Sequence, residues 1–169
     1  AVGRDDAIHH PRTSNMNSTS LRLSLGRVVY TALVFSLVGI VGTAAAGDID
    51  ALYEAAGDGD VAKVGALLDS GVDVNGRTSN GSYALNNAAV ENRVEAMRIL
   101  LDRGANPNVQ NSQGDTPLIC ATKYAGGKAA TVKMLVEAGT DLAIMDDKGN
   151  TALDYAKTKD QQDAIVLLE

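Results

Sequence analysis

The sequence predicts an all-α repeat solenoid: helix-turn-helix units stacked on one another and joined by turn or hairpin loops. Leu52, Leu85, Leu118 and Leu153 recur in matching contexts at intervals of 33, 33 and 35 residues. Gly71, Gly104 and Gly139 recur at 33 and 35, each behind an apolar pair, Leu67-Leu68, Leu100-Leu101 and Leu135-Val136. Trp is absent and Phe occurs once, whereas Ala, Leu, Val and Gly abound, which suits closely stacked helices better than an aromatic core. Self-similarity at a fixed period of about 20–50 residues is the mark of repeat architectures.

The spacing gives four units: residues 48–78, 79–111, 112–147 and a shortened 148–169. In the first, Asp58-Gly59-Asp60 forms the loop between its helices, and Gly71 ends the second helix in the left-handed conformation that glycine adopts without steric cost. The second unit begins its helix at Tyr83-Ala84-Leu85, buries the small pair Ala88-Ala89, and stops at Asp102-Arg103-Gly104. The third has the strongest helix start, GDTPLICAT over residues 114–122: the Thr116 hydroxyl caps the helix, and Pro117 occupies the first turn, where a missing N–H costs nothing. Its extra two residues fall in KYAGGK, residues 123–128, and lengthen the connection between its helices. The fourth starts at Thr151-Ala152-Leu153, carries a polar stretch over residues 157–163, and ends at Leu167-Leu168-Glu169, as a terminal cap would. Gly81, Gly114 and Gly149 serve the tight turns that lead into successive units.

These units resemble the ankyrin repeat, and the resemblance covers residues 48–169. It implies a turn followed by two antiparallel helices, with stacking supplying the core that no single unit can build. It departs from the family where Tyr83-Ala84-Leu85 and Thr151-Ala152-Leu153 replace Thr-Pro-Leu, which weakens the helix start without breaking it, and where the His that usually follows the Leu is replaced by Tyr53, Asn86, Ile119 and Asp154, which puts the hydrogen bonding between repeats in doubt.

The N-terminal third belongs to something else. Residues 1–15 are an upstream start choice or an extension, and His9-His10 within them is read as incidental rather than as a metal site. Residues 16–46 read as a secretory signal peptide: basic Arg22 and Arg27, the apolar run VVYTALVFSLVGIV over 28–41, then Ala44 and Ala46 in the A-x-A positions, with cleavage after Ala46. The run is shorter than the ~20 residues that span a bilayer, so no stable membrane anchor is expected after cleavage. The expected product is residues 47–169, exported and periplasmic.

That product carries 11 Lys+Arg and 19 Asp+Glu, net −8, without a basic cluster, which argues against nucleic acid or an anionic membrane as partner. Residues 47–169 contain no His, removing the commonest general base, and Cys120 is the one thiol, expected buried and structural. Asp146-Asp147 before Gly149 lacks the calcium-loop spacing and reads as solvated turn residues. The AGGK stretch at 125–128 lacks the strand and the Ser or Thr of a phosphate-binding loop. No enzyme, cofactor or metal is expected.

The resemblance implies a concave surface of turn tips and first helices. By register the tips are Ser79, Asn80 and Ser82, then Ser112, Gln113 and Asp115, then Asp147, Lys148 and Asn150; the helix positions are Val90, Glu91, Lys123 and Tyr124, followed by Thr158 and Lys159. Tyr124 is read either as the leading partner contact or as packing against the lengthened loop. The expectation is a monomeric, exported protein-binding module, a helper of a periplasmic enzyme such as catalase, with an inhibitor or immunity protein against a toxin as the alternative.

Overall fold

A computed structural model describes residues 46–169. The expected extension at 1–15 lies outside the described residues, as does all but the last residue of the expected signal peptide at 16–46. Among the described residues there are eight helices and no strand. They are α1 (Ala46–Asp58), α2 (Val61–Asp69), α3 (Ala84–Val90), α4 (Val94–Asp102), α5 (Pro117–Lys123), α6 (Ala129–Glu137), α7 (Ala152–Thr158) and α8 (Gln162–Leu168). They pair as α1–α2, α3–α4, α5–α6 and α7–α8, and the pairs stack so that α1, α3, α5 and α7 form one row and α2, α4, α6 and α8 the other. No described helix is long and apolar enough to cross a membrane.

The helix starts follow their local chemistry. Thr116 accepts a hydrogen bond from the N–H of Ile119 at 3.2 Å, with Pro117 in the first turn of α5. Thr151 does the same for Asp154, whose carboxylate returns to the Thr151 N–H at 2.8 Å, completing a capping box on α7. Tyr83 supplies no side-chain cap to α3, as its side chain dictates. Between the rows lies a core of small and aliphatic groups, with Leu52, Leu85 and Leu118 and the alanines at 55, 88, 121 and 156 all buried.

The lengthened connection sits where the spacing placed it. Residues 124–128 join α5 to α6, five residues where 91–93 and 159–161 use three. Gly126 and Gly127 both take positive φ there, at 76° and 59°. The loop is packed rather than free: Gly127 donates to the Ala121 carbonyl at 2.9 Å and lies so close to Gln161 that a Cβ on it would fall 2.1 Å from the Gln161 Oε1. Gln161 in turn donates to the Thr122 carbonyl at 2.8 Å, so the insertion helps join the third unit to the fourth.

The hydrogen bonding between units that the missing His put in doubt is carried by other groups. Asn86 donates to the Asp115 carbonyl at 3.0 Å, Asn87 to the Tyr53 carbonyl at 2.9 Å and Arg93 to the Gly57 carbonyl at 2.8 Å. At the far end, the position held by buried Ala89 and Thr122 in the inner units is Lys157, which pairs with Glu169 at 3.0 Å. The polar stretch at 157–163 is exposed apart from the half-buried Gln161.

Candidate functional site: the turn tips and first helices

Each turn tip is built on one side chain. Thr78, Asn111 and Asp146 occupy equivalent positions, and each accepts from its own turn's backbone: Ser82 N–H at 3.0 Å, Gln113 and Asp115 N–H at 2.9 and 3.0 Å, and Lys148 and Asn150 N–H at 3.0 Å each. The short polar side chain replaces the turn's missing carbonyl partner and fixes the residues between as a projecting tip. Neighbouring tips are then tied together, with Asp147 N–H donating to the Gln113 carbonyl at 3.1 Å and Gln110 bridging to the Met145 carbonyl at 3.2 Å.

Between the third and fourth tips lies an ionic cluster. The Lys123 ammonium donates to Asp115 at 2.8 and 3.0 Å and to Asp146 at 3.3 Å. It also lies 5.3 Å from the Tyr124 ring centroid and 5.2 Å from that of Tyr155, within range of a cation–π attraction. Burial alone would lower the affinity of Lys123 for its proton, but the bonds to Asp115, Tyr124 and Asp146 outweigh it and raise its pKa. Burial would likewise raise Asp146; instead the Tyr155 hydroxyl at 2.6 Å, the two turn N–H groups and Lys123 bring it down to about 2. Tyr155 is raised chiefly because its proton is held by Asp146, and Tyr124 chiefly by burial. This cluster is a structural lock: its lysine is already neutralised.

The expected partner-facing residues divide accordingly. Ser79, Asn80, Glu91, Ser112, Gln113, Asp147 and Lys148 are exposed, while Ser82, Val90 and Asn150 are half-buried. Asp115 is 0% exposed, because its carboxylate turns in to Lys123, and Lys123 itself is largely covered. Asp146 also departs from its expected role as a solvated turn residue: it is buried, and the free carboxylate at that tip is Asp147. Tyr124 is 51% exposed, with its hydroxyl donating to Gln113 at 3.0 Å.

Two grooves meet at Tyr124. One of about 300 Å³ lies between the third and fourth tips and is lined by Lys123, Asp146, Asp147 and Lys148. The other, of about 270 Å³, lies between the second and third units over Ser82, Asn86, Val90 and Cys120. Ser112, Gln113 and Tyr124 border both. Ser79, Asn80, Glu91 and Asn150 line neither. Tyr53, Asn86 and Tyr155 were missed as part of this face; Tyr53 and Asn86 sit at the position vacated by the usual His, which was the available signal.

Catalytic chemistry finds little to work with. Cys120 is 1% exposed, and burial pushes its thiol up to about 12, far from a nucleophilic thiolate. Among the described residues no group of three or more His, Cys, Asp or Glu is placed to hold a metal ion.

Comparison with known proteins gives the same architecture. The family described as ankyrin repeats in three copies matches residues 30–111, 52–146 and 104–169. The E3 ubiquitin-protein ligase KEG of Arabidopsis thaliana is 38% identical over 91 residues, 53% of this chain and 6% of its own length. The inactive serine/threonine-protein kinase TEX14 of Bos taurus is 31% identical over 118 residues, 70% of this chain and 8% of its own. Transient receptor potential cation channel subfamily A member 1 of Homo sapiens is 35% identical over 89 residues, 52% of this chain and 8% of its own. The chain therefore spans less than a tenth of the length of each of these relatives, whose shared element with it is the repeat array.

Proposed function

The chain belongs to the ankyrin-repeat family, generally non-catalytic protein-interaction modules, and from that premise we propose that it is an exported module binding its partner on the face of turn tips and first helices. The observation that carries this reading is the pair of grooves meeting at Tyr124. A half-exposed aromatic ring, held by its hydroxyl and backed by Lys123, offers a large contact area at little entropic cost, which is what interface anchors supply. The second row of helices has a groove of its own, about 320 Å³ beside Arg98 and Met134, but no exposed aromatic ring beside it.

Export rests on the residue pattern over 16–46, into which the family match extends as far as residue 30. The mass of the chain recovered from an envelope fraction tests it: a product beginning at Gly47 supports cleavage after Ala46, and a retained 16–46 segment rejects it.

The partner is to be found by pull-down from an envelope extract with the parent chain and a Tyr124→Ala, Gln113→Ala variant. A protein held by the parent and lost from the folded variant supports the assigned face; equal capture by both rejects it. An active enzyme such as a catalase in the bound fraction assigns the helper role, and loss of a toxin's activity on mixing assigns the inhibitor role.

A further inference from the structure

The sequence contains two Asn-Gly pairs, Asn75-Gly76 and Asn80-Gly81. An asparagine in front of glycine carries its own covalent chemistry. The nitrogen of the following residue attacks the carboxamide carbon and closes a five-membered succinimide, and a glycine there has no Cβ to obstruct the approach. The two pairs sit in like turns. Both asparagines are exposed and both glycines are buried. In each turn the glycine N–H donates to the carbonyl three residues earlier at 2.9 Å, Gly76 to Asp73 and Gly81 to Thr78, so one such bond opens before either nitrogen can attack.

The side chains differ. Asn75 is held at both ends by the second unit: its Nδ2 donates to the Gly104 carbonyl at 3.1 Å, and its Oδ1 accepts from the Asn106 N–H at 2.8 Å. These bonds commit the carboxamide to the neighbouring hairpin loop, and both must break before its carbon can swing to the Gly76 nitrogen. The Asn80 side chain makes no hydrogen bond among the described residues. Its main chain is less tied as well. At the third tip the Gln113 carbonyl is held by the Asp147 N–H at 3.1 Å, and the equivalent bond from Ser112 to Asn80 is not made. Gln113 and Lys148 take the place of Asn80 at the other tips; the first would need a six-membered ring, and the second has no carboxamide.

We propose that the second turn tip is a self-modifying site, at which Asn80 converts to aspartate and isoaspartate, while the same dipeptide at Asn75 is protected by the stacking of the second unit on the first. The Gly81 nitrogen bonds to the Asn80 Cγ, the Cγ–Nδ2 bond breaks, and the amide leaves as ammonia with the proton that Gly81 gave up. One water then opens the succinimide. Opening at Cγ restores the ordinary main chain with aspartate at 80. Opening at the Asn80 carbonyl carbon leaves the main chain routed through Cγ, an isoaspartyl link with a free α-carboxylate that an isoaspartyl carboxyl methyltransferase can take as substrate. Either product adds a negative charge to an exposed tip, and the isoaspartyl link lengthens the turn that Thr78 closes onto Ser82. The chemistry requires neither export nor a partner.

Trypsin separates the two pairs, since cleavage after Lys63, Arg77 and Arg93 puts Asn75 in residues 64–77 and Asn80 in residues 78–93. The full chain is aged at mildly alkaline pH, folded or in urea, and both peptides are followed by mass spectrometry with fragmentation that distinguishes isoaspartate from aspartate. In the folded chain residue 80 is expected to convert at least about tenfold faster than residue 75, the two additional hydrogen bonds of Asn75 making the difference. In urea the two rates are expected to converge. Aged parent is expected to take up methyl groups from S-adenosylmethionine through an isoaspartyl methyltransferase, and an aged Asn80→Gln variant of unchanged circular dichroism is not. Equal rates in the folded chain, or faster conversion at residue 75, overturn the protection by stacking. An Asn80 that stays intact in the folded chain, or methyl uptake undiminished in Asn80→Gln, overturns the site.

Discussion

Lys123, the last residue of α5, reaches Asp146 at 3.3 Å while holding Asp115 at 2.8 Å, so one side chain joins the third turn tip to the fourth. Both carboxylates are buried, and a buried ion pair is weak evidence of net stability, because desolvation offsets much of the attraction. Removing one partner is another matter. Lys123→Met leaves two buried carboxylates without their cation and is expected to cost about 3–5 kcal/mol in urea unfolding; a loss below about 1 kcal/mol would show that the carboxylates find water instead.

Acid stability follows from Asp146. Its pKa falls from an ordinary 3.8 to about 2, so its stabilising contribution is complete above the unfolded value and is lost as pH drops through the folded one. The shift corresponds to about 2 kcal/mol. Asp146→Asn keeps an acceptor for the turn, as Asn111 does one unit earlier, but loses the charge. Its unfolding free energy is expected to be lower by about 1–2 kcal/mol at neutral pH and to depend less on pH between about 4 and 2. Parallel acid limbs for parent and variant would contradict the assignment.

The insertion should be intolerant of a methyl group. Gly127→Ala combines a φ of 59° with a Cβ placed 2.1 Å from the Gln161 Oε1 and 3.0 Å from the Ala164 Cβ. A thermal midpoint drop equivalent to about 1–3 kcal/mol is expected, against a smaller one for Gly126→Ala, whose Cβ meets open space. Equal midpoints would mean that the loop is not packed on the fourth unit.

Helix α3 is open to improvement. Tyr83→Thr supplies the cap that Thr116 and Thr151 provide elsewhere and is expected to add about 0.5–1 kcal/mol, less what the half-buried ring contributes. Leu118→Ala, in the core between stacked pairs, is expected to lose about 2–5 kcal/mol. Ser79→Ala at an exposed tip should lie within about 0.5 kcal/mol of the parent.

The thiol gives a readout of opening. With Cys120 buried and its thiol pushed up to about 12, labelling by a disulfide reagent at neutral pH should proceed only through unfolding, its rate rising with denaturant. Immediate stoichiometric labelling of the folded chain would contradict the burial.

The leucine and glycine spacings placed every helix pair, because a solenoid repeats one local solution and each copy leaves its own trace in sequence. The two extra residues at 123–128 were legible for the same reason. Asp115 and Asp146 were not read as buried, since a carboxylate at a turn tip is ordinarily solvated and only the three-dimensional position of Lys123 reverses that. Thr78, Asn111 and Asp146 share the 33 and 35 spacing and could have been recognised as the turn-forming set. The protection of Asn75 has no sequence signature, because Gly104 and Asn106 reach it only once the units stack.

The most direct test of the binding face is site-specific photo-crosslinking with p-benzoylphenylalanine placed at Tyr124, compared with the same group at Lys133, exposed on α6 of the second row. Irradiation in an envelope extract is expected to give a discrete heavier adduct from position 124 and none from position 133. The same adduct from position 133 alone would place the partner on the second row of helices and contradict the account.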